Sequence, residues 1–176
     1  MEVLTLRGLV THYVLFFIQL ESRPVDIVGI SVHPDEQWKR QMTRNATMDE
    51  FGALQGCRFL LHDRDTKYTQ SFRAIITSGQ VEPLTLPARS PNLNAYAERW
   101  VRSAKEECLS KLILLGERSL RRALSEYVTH FHGERNHQGK GNVLLFPQVP
   151  ATRRTRSIQC RERLGGFLRY YHQEAA

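Results

Sequence analysis

The amino-acid sequence predicts a mixed α/β fold with a five-stranded sheet, an antiparallel meander first and parallel strands after it. Two observations predict this class. Three strand-like segments follow one another at the start of the chain, and helical and strand-like segments alternate after them. The composition agrees, because 176 residues with 41% hydrophobic and 24% charged side chains suit one globular domain.

The first three strands are predicted at residues 4–7, 10–20 and 25–32. Gly8 forms the turn of a hairpin between the first two. The second segment, VTHYVLFFIQL, is almost continuously apolar, which is typical of a strand buried on both faces. Since only short links separate the three segments, they are expected to form an antiparallel meander.

Helices and strands alternate after residue 33. Pro34 and Asp35 suit the first turn of a helix, and Gly79 suits the end of another. Pro83 favours an edge position for the strand that contains it. The chain becomes loop-like after Gly139. The predicted segments are, in order, a helix over 34–46, a strand over 58–61, a helix over 67–78, a strand over 82–86, a loop over 88–94, helices over 93–111 and 120–132, and a final apolar segment over 166–171.

The net charge of +7 lies entirely in the C-terminal part of the chain. Residues 1–98 carry 10 Lys and Arg against 11 Asp and Glu, a net −1, whereas residues 99–176 carry 15 against 7, a net +8. This asymmetry indicates either a polyanionic partner such as nucleic acid or a solvated basic tail.

Several classes of protein are disfavoured. Cys57, Cys108 and Cys160 are odd in number and widely spaced, so reduced structural cysteines are expected rather than disulfides or a zinc site. The longest apolar run, residues 13–18, is far shorter than the roughly 20 residues of a membrane span. No signal peptide follows Met1, so a soluble, cytoplasmic protein without a membrane partner is expected.

Asp63 is the first candidate site residue, because it directly follows the strand over 58–61 in the segment LLHDRDTKY. A carboxylate at the carboxyl end of a strand in an α/β sheet points into the crevice where ligands usually bind. The alternative is a structural aspartate that starts a turn or caps the next helix.

Glu98 is the second candidate, on the helix in SPNLNAYAERWVRSAKEECL, 98 − 63 = 35 positions after Asp63. Arg102 and Lys105 follow it by four and seven residues, so the three side chains share one helical face. The alternative is an exposed ladder of ion pairs on a helix whose other side lies in the core.

These segments together resemble a known family. The run from His62 to Glu107 resembles the catalytic core of retroviral-type integrases and of the Asp-Asp-Glu transposases of bacterial insertion sequences, and the resemblance covers about residues 1–147. In that family an Asp follows the fourth strand in a pattern like S/T-D-x-G. A Glu lies a similar distance further on, behind a loop of the type S-P-x-x-N-(small)-x-x-E. The matching positions here are Asp63, Ser90, Pro91, Asn94 and Glu98.

The resemblance implies a ribonuclease H-like fold and metal-dependent DNA cleavage and strand transfer, as in DNA integration and transposition. Asp63 and Glu98 would be catalytic ligands of Mg²⁺ or Mn²⁺, hard cations that prefer carboxylate oxygens. The implied partners are the DNA of transposon ends and target, and further copies of the chain in a homo-oligomer. The residues expected to hold the DNA are Arg89, Asn94, Arg102 and Lys105.

The chain departs from the family pattern at two positions. The family's first Asp lies on the first strand, but no Asp precedes Asp26 here, and Glu2 is the sole carboxylate on that strand. The first Asp and the family's N-terminal DNA-binding region are therefore expected to be missing, and activity to be weak or absent. Asp65 stands where the family usually has Gly, and it is the alternative to Asp63 as the metal ligand.

Histidines offer further alternatives. His62 is either a neighbour of the metal or a structural side chain. In THFHGERNHQGKG, His130, His132 and His137 are a possible zinc site without a cysteine pair. The same segment resembles the Y-N-x-x-R-x-H run that ends the family's catalytic domain, with Arg135 and His137 matching approximately.

The predicted organisation is a catalytic core over residues 1–147, with an incomplete first strand, and a basic C-terminal extension over 148–176. Two other functions are open. The chain could be a non-catalytic nucleic-acid-binding remnant of a transposase, or a ribonuclease H-like nuclease outside mobile elements. An Asp upstream of Met1 would indicate an active transposase rather than a binding remnant. Strand transfer, as opposed to hydrolysis, would indicate a transposase rather than a nuclease.

Overall fold

The computed structural model describes residues 1–48, 51–64, 68–88, 91–137, 141–146 and 158–173. Within these residues the α/β class is confirmed. The strands are β1 Glu2–Thr5, β2 Gly8–Thr11, β3 Tyr13–Ile18, β4 Val25–Ser31, β5 Phe59–His62, β6 Glu82–Thr85, β7 Ile158–Arg163 and β8 Leu168–Gln173. The helices are α1 Glu36–Ala46, α2 Gln70–Ser78, α3 Ala95–Glu107 and α4 Gly116–Gly133.

The chain divides into two compact units. Unit 1 consists of Met1–Glu2, Val10–Ile18 and Val25–Arg99. Unit 2 consists of Val3–Leu9, Gln19–Pro24 and Trp100–Ala176. The predicted boundary at residue 147 lies outside the described residues.

The described strands form four two-stranded sheets, β1–β2, β3–β4, β5–β6 and β7–β8. The pair β3–β4 is antiparallel and the pair β5–β6 is parallel, in the predicted order of orientations. A single sheet of five strands stays a prediction.

The strand predicted over residues 10–20 is two strands, so that prediction was wrong. The break falls at His12, which is buried and outside both strands. Its backbone N–H donates to the Met1 carbonyl at 2.7 Å, and its Nδ1 donates to the Val10 carbonyl at 3.2 Å. These two bonds tie His12 to Met1 and Val10 between β2 and β3. The residues of β3 are half-buried, apart from exposed Tyr13, rather than buried on both faces.

The core of unit 1 surrounds the β5–α2–β6 segment. Parallel pairing runs from Phe59 beside Glu82 to His62 beside Thr85, and α2 provides the crossover. A single apolar cluster forms where α1, α2, β5 and the adjoining loops pack together. Its buried members are Ala46, Leu54, Leu60, Phe72, Ile76 and Val81.

Helix α2 begins and ends differently from the prediction. It begins at Gln70 rather than residue 67, because the Thr69 hydroxyl accepts the Phe72 N–H and caps the helix there. Gly79 follows the helix with a φ of −84°, so no left-handed cap forms at this glycine. A Cβ at Gly79 would lie 2.7 Å from the Thr47 Cβ, and this close approach is the reason for a glycine here.

Unit 2 contains most of α3, all of α4 and the β7–β8 hairpin. Helix α3 is shorter than predicted, because the backbone leaves helical geometry at Cys108 (φ −129°) before a 3-10 turn over Leu109–Lys111. Helix α4 begins at Gly116 rather than residue 120, and the Ser119 hydroxyl accepts the Leu115 N–H at this end. Strand β7 was not predicted, whereas β8 overlaps the predicted apolar segment. None of the described helices is long and apolar enough to cross a bilayer.

Candidate active site

Asp63 lies where the sequence predicts it, immediately after the last residue of β5, with its side chain exposed. Its neighbours on both sides bond to the end of β6. The Leu86 N–H donates to the His62 carbonyl at 2.9 Å, and Arg64 Nε donates to the Leu86 carbonyl at 3.1 Å. Asp63 is therefore held at the carboxyl end of a parallel strand pair.

His62 holds the backbone of Asp63 in place. The imidazole is 5% exposed and packs against the rings of Tyr68 and Phe72, with centroids 4.9 and 6.0 Å away. Its Nδ1 lies 2.7 Å from the Asp63 carbonyl oxygen, which can only accept, so Nδ1 carries the hydrogen. In the neutral ring Nε2 then accepts from the Thr85 hydroxyl at 3.4 Å. Since both ring nitrogens have protein partners, the structural interpretation of His62 is favoured over a metal neighbour.

Glu98 lies in the first turn of α3 with its side chain exposed, and it belongs to unit 1 as Asp63 does. Asn94 is half-buried at the end of the 3-10 turn that precedes α3. Arg102 and Lys105 are exposed further along the same helix, in the part that belongs to unit 2. The helix predicted to carry all three charged side chains is thus present.

Some predicted site residues cannot be placed. Arg89, Ser90 and Asp65 lie outside the described residues. Among the residues that are described, no group of three or more His, Cys, Asp or Glu side chains is arranged to hold a metal ion. Asp63 and Glu98 offer two carboxylates, the oxygen donors that a hard cation such as Mg²⁺ prefers. Their donor type fits the implied metal, although they are too few to enclose it.

Unit 2 contains a buried carboxylate that was not predicted from the sequence. The Glu134 side chain is 3% exposed and accepts from Arg163 Nε at 2.9 Å and Nη2 at 2.7 Å. It also faces His130 Nδ1 at 3.1 Å and Arg161 Nη1 at 3.4 Å. Burial alone would raise the pKa of Glu134, but the hydrogen bonds from Arg163 and His130 lower it to about 2. This carboxylate binds the β7–β8 hairpin to the end of α4.

A second ion pair joins the ends of α3 and α4. Glu107 accepts from Arg135 Nε at 2.8 Å and Nη2 at 2.6 Å, and from the buried Tyr127 hydroxyl at 3.3 Å. Burial and the nearby Glu107 carboxylate both raise the pKa of Tyr127. The Glu107 bond also raises the pKa of Arg135, so the guanidinium stays charged. These residues have a structural role. Arg135, which matches the family's pattern approximately, joins the ends of the two helices through its pair with Glu107.

The histidine segment gives no support to a zinc site in the described residues. His137 is buried and its Nε2 donates to the Phe131 carbonyl at 2.8 Å, while burial lowers the pKa of His137. His130 is bonded to Glu134, and the His132 ring packs edge-on against Phe146 at 5.6 Å between centroids. Each ring has a structural environment of its own.

No family model, no curated protein and no solved structure matches this chain. The site is therefore defined by its own chemistry: an α/β unit with an exposed carboxylate after a parallel strand and a second exposed carboxylate at the start of a helix. Carboxylate oxygens are the ligands that hard cations prefer.

Proposed function

We propose that this chain is the catalytic core of an Asp-Asp-Glu transposase or integrase, which cleaves and joins DNA with Mg²⁺ or Mn²⁺ at Asp63 and Glu98. The observation that carries the proposal is the placement of Asp63, exposed directly after a parallel strand and fixed through both neighbours to the end of β6. Ligands of α/β proteins bind at this end of the strands.

The order of the elements also supports the proposal. An antiparallel pair, β3–β4, is followed by α1, β5, α2, the parallel strand β6, and then by α3 with Glu98 in its first turn. This is the order expected of a ribonuclease H-like fold with a mixed five-stranded sheet, which we propose as the architecture of the core.

Each side chain has a proposed role. Asp63 and Glu98 supply oxygen ligands to the cation. When bound, divalent cations activate water or a 3′-hydroxyl and stabilise the charge on the entering and leaving oxygens. The chain positions the DNA through Arg89, Asn94, Arg102 and Lys105, which hold phosphates and set the register of the strand.

Turnover is expected to be slow. Two carboxylates match the family's second and third catalytic positions, whereas Glu2, exposed on β1, is the sole carboxylate on the first strand. Fewer carboxylate ligands mean a lower affinity for the cation and a weaker stabilisation of the transition state.

A non-catalytic nucleic-acid-binding protein is the second candidate. It is favoured by the +8 net charge of residues 99–176, together with the small number of candidate metal ligands among the residues that the structure describes. In this case the chain would bind DNA with a strong dependence on salt but would not cut it.

The test is nicking of supercoiled plasmid DNA with Mg²⁺ or Mn²⁺, with Asp63→Asn and Glu98→Gln as site variants. Matched controls are Asp26→Asn, an exposed carboxylate on β4, and Glu106→Gln, an exposed carboxylate on α3 itself. We expect both site variants to lose nicking by more than about tenfold, because each removes a ligand, and both controls to retain it.

Three results would decide between the candidates. Equal nicking by the parent and both site variants would refute the proposed site. Binding to DNA without nicking, with or without an upstream extension that contains an Asp, would favour the non-catalytic protein. Joined rather than hydrolysed oligonucleotide products would separate a transposase from a simple nuclease.

A further inference from the structure

We propose that the exposed face of helix α1 binds duplex DNA, with Arg40 and Arg44 on its phosphates. This α1 face consists of the exposed side chains Gln37, Arg40, Gln41, Arg44 and Asn45. Their spacing of three, one, three and one residues keeps them on one side of the helix. A shallow depression lies over the face and is lined by Glu36 and all of these residues except Asn45.

The charge of the α1 face is positive, because its five side chains include two arginines and no carboxylate. Two carboxylates lie next to it and are hydrogen-bonded to neutral groups, since Asp35 accepts the Trp38 N–H at 2.7 Å and Glu36 accepts the Ser71 hydroxyl at 2.6 Å. In the part of the chain that the structure describes, neither Arg40 nor Arg44 has an acidic partner. Two like charges four residues apart weaken a helix, so a bound polyanion would relieve an unfavourable interaction.

The opposite side of α1 is firmly packed, so the α1 face is held in place in the unbound protein. Thr43 and Ala46 are buried there. Gly29 of β4 lies so close to the helix that a Cβ on it would be 2.6 Å from Met42 Sδ and 2.7 Å from the Trp38 ring. A rigid surface loses little conformational entropy on binding.

The chemistry of the α1 face fits DNA better than a protein partner. Guanidinium groups bind phosphate oxygens bidentately, and Gln and Asn amides bond to base edges and backbone. The five side chains include no tryptophan or tyrosine, two of the residues that most often anchor protein interfaces.

The test measures binding without metal, so that it is independent of the proposed catalytic site. Fluorescence anisotropy of a labelled short duplex, in EDTA at about 0.1 M salt, compares the parent with Arg40→Gln/Arg44→Gln. The matched control is Arg7→Gln/Arg73→Gln, which removes the same charge from exposed positions elsewhere. Circular dichroism checks that each variant is folded.

We expect the α1 variant to raise Kd at least about tenfold and to reduce the slope of log K against log salt by about 1.8, or about 0.9 for each lost phosphate contact. The control is expected to change Kd less than about threefold. The proposal is overturned if both variants weaken binding equally, if the parent does not bind the duplex, or if it prefers single-stranded RNA or an acidic peptide. The catalytic proposal fails separately, if Asp63→Asn and Glu98→Gln nick plasmid DNA as well as the parent does.

Discussion

Replacing Glu134 by Gln should destabilise unit 2 more than any comparable surface substitution. The change keeps the size of the side chain but removes a buried negative charge that faces Arg163, Arg161 and His130. Breaking a buried ion pair by removing one partner costs about 3–5 kcal/mol. Arg163 keeps its pair with Glu126 at 2.7 Å and Arg161 is 47% exposed, so the lower end of this range is expected.

The lowered pKa of Glu134 gives a second value for the free energy that this interaction contributes to folding. The pKa of Glu134 is lowered from 4.5 to about 2, which corresponds to about 3 kcal/mol of stability at about 1.4 kcal/mol per pH unit. Since the folded pKa is the lower one, this stability is complete above pH 4.5 and is lost as pH falls through about 2. At pH 3 roughly half of it should remain.

Urea unfolding followed by fluorescence of Trp100 would measure the effect, because Trp100 is buried within unit 2. A Trp38→Phe background removes the other tryptophan. The control is Glu117→Gln, the same substitution on α4 in an exposed pair with Arg121, where less than about 1 kcal/mol is expected. The reasoning is wrong if both variants lose the same stability at pH 7, or if the deficit of Glu134→Gln does not shrink at pH 3.

Two further predictions concern single side chains. Should the proposed site be correct, His62→Leu should lower plasmid nicking about tenfold through the loss of the Nδ1 bond that holds Asp63. His62→Asn, which keeps a donor near that nitrogen, should recover most of it, and equal rates for the two folded variants would contradict this role. The cysteines should differ in reactivity towards a thiol reagent at pH 8: exposed Cys160 reacts in the native state, whereas Cys108, whose pKa burial raises to about 11, reacts only after unfolding. Native labelling of both at one rate would refute this difference.

Local signals in the sequence predicted much of unit 1. Pro34 and Asp35 marked the start of α1, and Asp35 is indeed its N-cap. The segment ending at His62 is a strand with Asp63 directly after it, and Glu98 lies on the predicted helix. Each of these features depends on residues within a few positions of one another, which is why a single sequence reveals them.

The missed features depend on contacts between distant parts of the chain. Glu134 meets Arg161 and Arg163 across 27 and 29 positions, and nothing in the segment HGERNHQ distinguishes a buried carboxylate from an exposed one. Strand β7 has the sequence IQCRER, without an alternation of apolar residues. The available signal was the following Gly165–Gly166 pair, both with positive φ, which forms the turn of the hairpin.

The apolar cluster of unit 1 has a consequence for the order of folding. Its six buried members all come from residues 46–81, so the cluster assembles by closing short loops, for which the loss of chain entropy is small. Contacts of this local kind are typical of segments that form early on the folding pathway. The Asp63 strand end lies inside that segment, so we expect the proposed site to be built on a part of unit 1 that becomes ordered early.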